Sequence, residues 1–169
     1  KGIKLARSDE IERDWKTKVG GRCLGACFDS PRRPFIKIRL LKKSGAEVKC
    51  IMTPASCDFI SPLVVATLSG NPVGIEFWNK NDGTWNNHVE YGLWADVFLI
   101  APLTANTLSK MASGSCDNLL LATYLSMKTK TIVAPAMDLD MYSHPATLRN
   151  LKQIESIFLL VFCRHYKPF

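Results

Sequence analysis

The sequence predicts an α/β protein with a doubly wound, Rossmann-like (flavodoxin-like) parallel sheet that carries helices on both faces. Two observations predict this class. Short β-rich or apolar runs alternate with segments of helical spacing, and three of these runs end in a turn that contains proline. Strands that alternate with helices pair in parallel through right-handed crossovers, which cover the sheet on both sides. The 169 residues, 47% of them hydrophobic, are enough for one buried core.

The predicted elements begin near residue 37. The expected strands are 47–53, 97–101, 131–134 and 157–162. The second and third are continuous apolar runs, which is typical of strands buried on both faces. The expected helices are 37–43, 59–69, 106–111, 118–127 and 148–155. Gly45 and Gly70 act as stop signals, and Asp117 is expected to be an N-cap. The residues around Gly83, 79–87, are expected to form a polar loop.

The N-terminal region differs from the rest of the chain in charge. Residues 1–49 contain 14 Lys and Arg against 6 Asp and Glu, whereas the whole chain has a net charge of +7. A basic arm is compatible with nucleic-acid binding. However, no RNA-binding pattern or zinc-finger spacing accompanies it. We therefore expect a solvated basic face, and nucleic acid is not an expected partner.

The glycine-rich part of this region lacks the signals of an ordinary first strand. No run of four apolar residues precedes Gly21 or Gly25, and Pro31 and Pro34 are expected to interrupt a following helix. We therefore predict an atypical basic N-terminal segment, residues 1–35, followed by one α/β domain, residues 36–169.

Composition also excludes several classes of protein. No apolar run approaches the ~20 residues that a membrane-spanning helix needs, and charged residues occur throughout the first fifteen positions, unlike a secretory signal. We expect a cytoplasmic protein whose six cysteines are reduced thiols. No CxxC pair occurs, and Cys23 and Cys27 have no nearby histidine, so no metal site is predicted.

Three predicted strands end in similar turns, in which proline is followed by small or hydroxyl-bearing residues, and together these turns indicate a ligand site. They read Thr53-Pro54-Ala55-Ser56, Ala101-Pro102-Leu103-Thr104 and Ala134-Pro135-Ala136-Met137. Ligands of open α/β sheets bind outside the carboxyl ends of the strands. The hydroxyls of Thr53, Ser56 and Thr104 suit a phosphate or ring heteroatoms, as do free amides at a helix start. One such turn is typical of a tight connection, but three at one edge favour a site.

Four sequence blocks occur in order within residues 88–145. They are His88 ahead of Trp94-Ala95-Asp96, the block 101–107, the block 110–114 followed by 117–120, and the block 135–138 with Met141 and Pro145. Together they resemble the homo-oligomeric flavin-containing cysteine decarboxylases. Within that family they are most similar to the bacterial phosphopantothenoylcysteine decarboxylases of coenzyme A biosynthesis.

The resemblance implies an FMN-dependent lyase that converts phosphopantothenoylcysteine to phosphopantetheine. In this chemistry the flavin takes a hydride equivalent from the cysteine moiety, the resulting thioaldehyde accepts electrons as carbon dioxide leaves, and the hydride is then returned. The resemblance also implies a homo-oligomer, either a trimer or a multiple of trimers, and a fused or separate synthetase domain. Residues that offer apolar interface area, with the buried core as the alternative for each, are Trp78, Trp85, Tyr91 and Trp94.

The resemblance also implies roles for individual residues. His88 matches the active-site histidine and Asn106 the asparagine that contacts substrate or flavin. The residues expected to bind FMN are Thr53 and Ser56, from the strand ends, and Thr104, Ala105 and Thr107, from the resemblance. The residues expected to bind substrate are Ala136, Met137 and Asp138. Asp138 stands where the commoner form has asparagine, so we expect it to contact substrate through its backbone or as a neutral acid.

Alternative functions remain open because both ends of the chain depart from the family pattern. The family has a flap cysteine beyond residue 162, and Cys163 does not lie in a recognisable version of that motif, so we expect the domain to be truncated at its C-terminus. The alternatives are a non-catalytic flavoprotein or regulatory subunit, a peptidyl-cysteine decarboxylase, and nucleic-acid binding through residues 1–49.

Overall fold

A parallel sheet forms the centre of the structure. The computed structural model describes residues 21–26, 33–79, 82–155 and 159–161. Its strands are β1 (Arg22–Ala26), β2 (Glu47–Ile51), β3 (Val73–Gly74), β4 (Val97–Leu103), β5 (Lys130–Pro135) and β6 (Leu159–Val161). All five strand pairs are parallel, and the spatial order is β3-β2-β1-β4-β5-β6. This is the order of a doubly wound sheet whose direction of winding reverses between β1 and β4.

Helices cover both faces, and each layer has its own apolar core. The helices are α1 (Arg33–Lys43), α2 (Pro62–Ser69), α3 (His88–Trp94), α4 (Ala105–Ser113), α5 (Leu119–Ser126), α6 (Leu139–Ser143) and α7 (Pro145–Glu155), with a 3₁₀ helix at Pro54–Asp58. On one face α1 and α2 pack over β1 and β2 through Ile38, Leu41 and Val65. On the other, the remaining helices pack around Phe98 and Ile100 of β4. The predicted fold class is confirmed.

Several predicted boundaries shift, for local reasons. β4 continues past Pro102 to Leu103, with an irregular register between Ile100 and Leu103. Asn118, and not Asp117, caps α5, because its side-chain oxygen accepts a hydrogen bond from the backbone N–H of Leu121 at 3.0 Å. Asp117 is instead paired with Lys110. The short elements β3, α3 and α6 are too brief to show a period and were not predicted.

The prediction that no ordinary first strand forms at the glycine-rich segment is wrong. β1 is a central strand that pairs with both β2 and β4, and Cys23, Leu24 and Gly25 are buried in it. Small side chains suffice at a position covered by neighbours on both sides, so a long apolar run is unnecessary. β1 also lies ahead of the predicted domain start at residue 36. The division at that residue stays a prediction.

The prediction that Pro34 interrupts a helix is also wrong. The helix α1 begins at Arg33, so Pro34 lies in the first turn, where a backbone N–H has no intrahelical acceptor to lose. Pro31, Cys27, Cys163 and most of the basic segment lie outside the described residues.

None of the described helices has the length and apolar character required to cross a membrane. Within the same residues, no group of three or more His, Cys, Asp or Glu side chains is arranged to hold a metal ion.

Candidate functional site at the carboxyl edge of the sheet

The carboxyl ends of the strands bring the three predicted turns to one edge. Because β2, β4 and β5 are parallel, Thr53, Thr104 and Ala136 all follow strand ends on the same side of the sheet. The backbone N–H of Ala136 donates to the carbonyl of Leu103 at 2.9 Å, which joins the ends of β4 and β5. The switch point between β1 and β4 lies among these ends, and crevices at such points are where doubly wound sheets bind ligands.

The start of α4 contributes hydrogen-bond donors to this edge. Thr104 is the N-cap, and its hydroxyl oxygen accepts from the backbone N–H of Thr107 at 3.3 Å while lying 3.1 Å from the Thr107 hydroxyl. Ala105 is half-buried, Asn106 is exposed and Thr107 is buried. The first-turn N–H groups and the positive end of the helix dipole favour an anion or an electron-rich oxygen. The exposed amide of Asn106 adds a donor and an acceptor.

The turn after β2 gives its two hydroxyls different roles. The oxygen of the Thr53 hydroxyl accepts from the backbone N–H of Ser56 at 3.3 Å, so its own O–H remains available to donate. Ser56 is buried, and its hydroxyl donates to the Thr53 carbonyl at 2.7 Å. Thr53 is therefore the better placed of the two to contact a ligand. The role of Ser56 in FMN binding stays a prediction.

Cys57 follows in the same turn, and it was not among the residues predicted from the sequence. Its thiol donates to the Thr53 carbonyl at 3.6 Å. Burial, with the nearby carboxylates of Asp58 and Glu76, raises the pKa of the Cys57 thiol above its ordinary value. The group therefore stays protonated at neutral pH and is unsuited to act as a nucleophile.

His88 is the first residue of α3, a helix that the sequence did not predict. Asn87 caps this helix, because its side-chain oxygen accepts from the backbone N–H groups of Val89 at 3.0 Å and Glu90 at 3.3 Å. The ring of His88 meets the ring of Phe77 edge to face, with centroids 6.1 Å apart and an interplanar angle of 89°. Its Nδ1 atom is buried without a hydrogen-bond partner. α3 connects β3 to β4, which are parallel strands of one sheet, so the helix runs antiparallel to them. Its N-terminus therefore lies towards the carboxyl edge of the sheet.

An aromatic stack connects this histidine to the surface. Trp85 stacks on Phe77 at 5.9 Å and on Trp78 at 6.4 Å. Trp78, just ahead of the predicted polar loop, also forms an antiparallel bridge with Trp85 inside it. They are 51% and 59% exposed, so the buried core is not their location, whereas the half-buried Tyr91 and Trp94 pack against the core.

The last predicted turn puts Asp138 in a capping position. The carboxylate of Asp138 accepts a hydrogen bond from the backbone N–H of Met141 at 2.7 Å and caps α6. Ala136 is exposed, and Met137 packs against the core. The Asp138 side chain is thus directed to the backbone of its own chain, which sequence reasoning did not foresee.

Contacts within the described residues do not join all of the candidate residues. Thr53, Thr104, Asn106 and Ala136 follow strand ends along the carboxyl edge, and His88, at the N-terminus of α3, lies beside Phe77. Among the described residues, no hydrogen bond or ring contact joins His88 to Asn106.

Two curated relatives are similar to this chain. A cysteine/cysteine sulfinic acid decarboxylase from an unknown prokaryotic organism is 57% identical over 97 residues, which are 57% of this chain and 27% of that protein. The coenzyme A biosynthesis bifunctional protein CoaBC of Bacillus subtilis is 39% identical over 111 residues, which are 66% of this chain and 27% of that protein. The alignment with each relative thus spans about a quarter of that protein's length.

A solved structure and a family model extend the comparison over most of the chain. The FMN-dependent cysteine decarboxylase SpaF matches with a TM-score of 0.73 and 31% identity, over 83% of this chain and 82% of that one. The model of the family described as Flavoprotein matches residues 32–168, which include the strand ends, α3 and α4. The chain therefore belongs to the Flavoprotein family.

Proposed function

We propose that this chain binds FMN at the carboxyl edge of its sheet and decarboxylates a substrate that contains a cysteine moiety. One observation carries the proposal: three similar turns converge beside the switch point between β1 and β4, and each supplies small or hydroxyl-bearing residues. SpaF, whose fold this chain shares, is named as an FMN-dependent cysteine decarboxylase. The first relative described above is also named as a decarboxylase.

The residues present at the edge fit a flavin. The free O–H of Thr53 and the first-turn N–H groups of α4 suit phosphate or ring oxygens. Ala105 and Ala136 are small enough to leave room for a flat ring system. Thr104 and Thr107 fix the start of α4 through their mutual hydrogen bonds. Bound FMN supplies the hydride chemistry that the loss of a carboxylate next to an unactivated carbon requires.

The protein's own residues then position the substrate and move protons. Asn106, exposed on the first turn of α4, is suited to orient the substrate carboxylate through its amide N–H groups. His88 is suited to transfer a proton near neutral pH. The overall reaction replaces the carboxylate by a proton and releases carbon dioxide, so it consumes no net oxidant.

The substrate we propose is phosphopantothenoylcysteine, in agreement with the similarity to the Bacillus subtilis protein of coenzyme A biosynthesis. A second candidate is cysteine or its sulfinic acid, because the relative with 57% identity is named for those substrates. A peptide with C-terminal cysteine remains the further alternative. We also propose a homo-oligomer, a trimer or a multiple of trimers, in a cytoplasmic location, and a synthetase domain as a partner, since the name of the Bacillus subtilis relative describes a bifunctional protein.

The test combines a spectrum with a substrate panel. We expect the purified chain to show flavin absorbance, or to acquire it on incubation with FMN, and to elute as a trimer or larger. Carbon dioxide release should then be measured with phosphopantothenoylcysteine, cysteine, cysteine sulfinic acid and a peptide ending in cysteine. Carbon dioxide release from phosphopantothenoylcysteine alone supports the role in coenzyme A biosynthesis. Release from one of the other three compounds instead assigns that compound as the substrate. A colourless protein that cannot be reconstituted with FMN contradicts the proposal.

Two substitutions at Asp138 separate capping from substrate binding. Asp138→Asn keeps a side-chain oxygen for the Met141 N–H, so we expect the stability to be nearly unchanged. Asp138→Ala removes the cap and should lower the free energy of unfolding by about 0.5–2 kcal/mol. If the carboxylate acts only as a cap, the two variants keep the wild-type KM in the decarboxylation assay. A raised KM in Asp138→Asn, with unchanged stability, instead indicates direct contact between the carboxylate and the substrate.

A further inference from the structure

We propose that Phe77 is the positioning residue that sets the orientation of the His88 imidazole. This inference rests on the proposed function, in which His88 transfers a proton. It concerns a residue that none of the four family-like sequence blocks contains, since they begin at His88. It explains how the histidine is held although no hydrogen bond from the described part of the chain reaches its ring.

The His88 ring lacks the hydrogen bond that commonly fixes a catalytic imidazole. A histidine that works in catalysis usually has one ring nitrogen bonded to a carbonyl or a carboxylate, which fixes the ring. Here the Nδ1 atom is buried and has no hydrogen-bond partner among the described residues. The ring is therefore oriented by packing, and Nε2 is the nitrogen left to exchange a proton with a substrate.

The His88 ring is in contact with the ring of Phe77. Phe77 meets the imidazole edge to face, at 6.1 Å between centroids and 89° between planes. Edge-to-face pairs are a favoured aromatic geometry, because the positive edge of one ring meets the negative face of the other. This contact defines a ring plane for His88 without constraining either nitrogen by a hydrogen bond.

Phe77 is itself held by ring contacts and by hydrogen bonds to its backbone. Trp85 stacks on its ring at 5.9 Å, and the same ring packs against the main apolar core. Its backbone is also anchored, because Asn86 donates from its backbone N–H to the Phe77 carbonyl at 2.7 Å and from its side-chain amide to the Glu76 carbonyl at 2.8 Å. A ring held on two sides is a firm support for the imidazole.

The test compares Phe77→Leu with a conservative and a neighbouring substitution in the FMN-loaded chain. Phe77→Leu should lower kcat about 10- to 100-fold, the loss expected when a catalytic group is misplaced by about 1 Å, with KM nearly unchanged. Phe77→Tyr keeps the aromatic edge and should restore most of the activity. Trp78→Leu is the matched control, because Trp78 stacks on Trp85 and has no ring contact with His88. We expect it to keep the wild-type kcat.

A second readout does not depend on activity. The ring of Phe77 should shift the proton resonances of the His88 imidazole, and Phe77→Leu should move them towards ordinary values with or without FMN. Trp85→Leu removes the support of Phe77 at an exposed position, and we expect a smaller change of the same kind. It serves as the test if Phe77→Leu does not fold.

Three outcomes would overturn the assignment. One is a wild-type kcat in a folded Phe77→Leu whose His88 resonances do not move. Another is a loss of kcat in Trp78→Leu that is as large as the loss in Phe77→Leu. The third is a double variant in which the losses of kcat from Phe77→Leu and from His88→Asn multiply fully. A residue that acts through His88 should cause little further loss once His88 is replaced. If His88→Asn alone keeps full activity, the proton-transfer role proposed for His88 fails, and the resonance shift still reports on the packing; a chain that neither binds FMN nor releases carbon dioxide contradicts the proposed function itself.

Discussion

Replacing His88 with asparagine is expected to lower kcat for decarboxylation by about 10²- to 10⁴-fold, the usual contribution of a positioned acid or base. The substitution should leave the fold intact, because the Nδ1 atom of His88 has no hydrogen-bond partner to lose and α3 is capped by Asn87. FMN content should also be unchanged, since the residues that we propose to hold the flavin lie at the ends of β2, β4 and β5.

The measurement is steady-state release of carbon dioxide at saturating FMN, with the flavin absorbance recorded on the same samples. His144→Asn is the matched control, because the ring of His144 accepts from the backbone N–H of Ala146 at 3.2 Å, and asparagine is itself a good capping residue. We expect this control to retain the wild-type rate. Equal rates in the two variants would remove His88 from the proposed chemistry.

Truncation of Leu24 to alanine is expected to give the largest loss of stability, about 2–5 kcal/mol in the free energy of unfolding. Leu24 is completely buried in β1, where its strand pairs with β2 and β4 and its side chain belongs to the main core cluster. The buried residues of this cluster are closely packed around Leu24, so the cavity left by the truncation cannot collapse fully.

Urea unfolding of the two proteins checks this expectation. The midpoint should fall while the slope with denaturant stays unchanged, which indicates a change in stability alone. Leu40→Ala is the matched control, because Leu40 is 60% exposed on α1 and alanine is the better helix former. A loss below about 0.5 kcal/mol in Leu24→Ala, the range of ordinary surface substitutions, would mean that β1 is not a central strand.

The candidate site was predicted in part. The three proline-containing turns can be recognised in the sequence as strand ends, and parallel pairing brings them to one edge of the sheet, as expected. Which hydroxyl remains free to donate was not predictable, because Thr53 and Ser56 are alike in sequence and differ only in their hydrogen bonds. The cap formed by Asp138 was also not predictable from the sequence, because α6 has only five residues and is too short to show a helical pattern of apolar residues.

The sequence by itself determined the alternation of strands and helices, the parallel sheet, and the blocks that resemble a family of flavoproteins. These features are local, because a run of apolar residues, a cap or a motif is read from neighbours along the chain. Only the tertiary structure decided that Arg22–Ala26 is the central strand and that Phe77 meets His88. Both depend on residues far apart in sequence. The residues of β1 pair with residues 25 and 74 positions further on, in β2 and β4, and burial there makes small side chains sufficient.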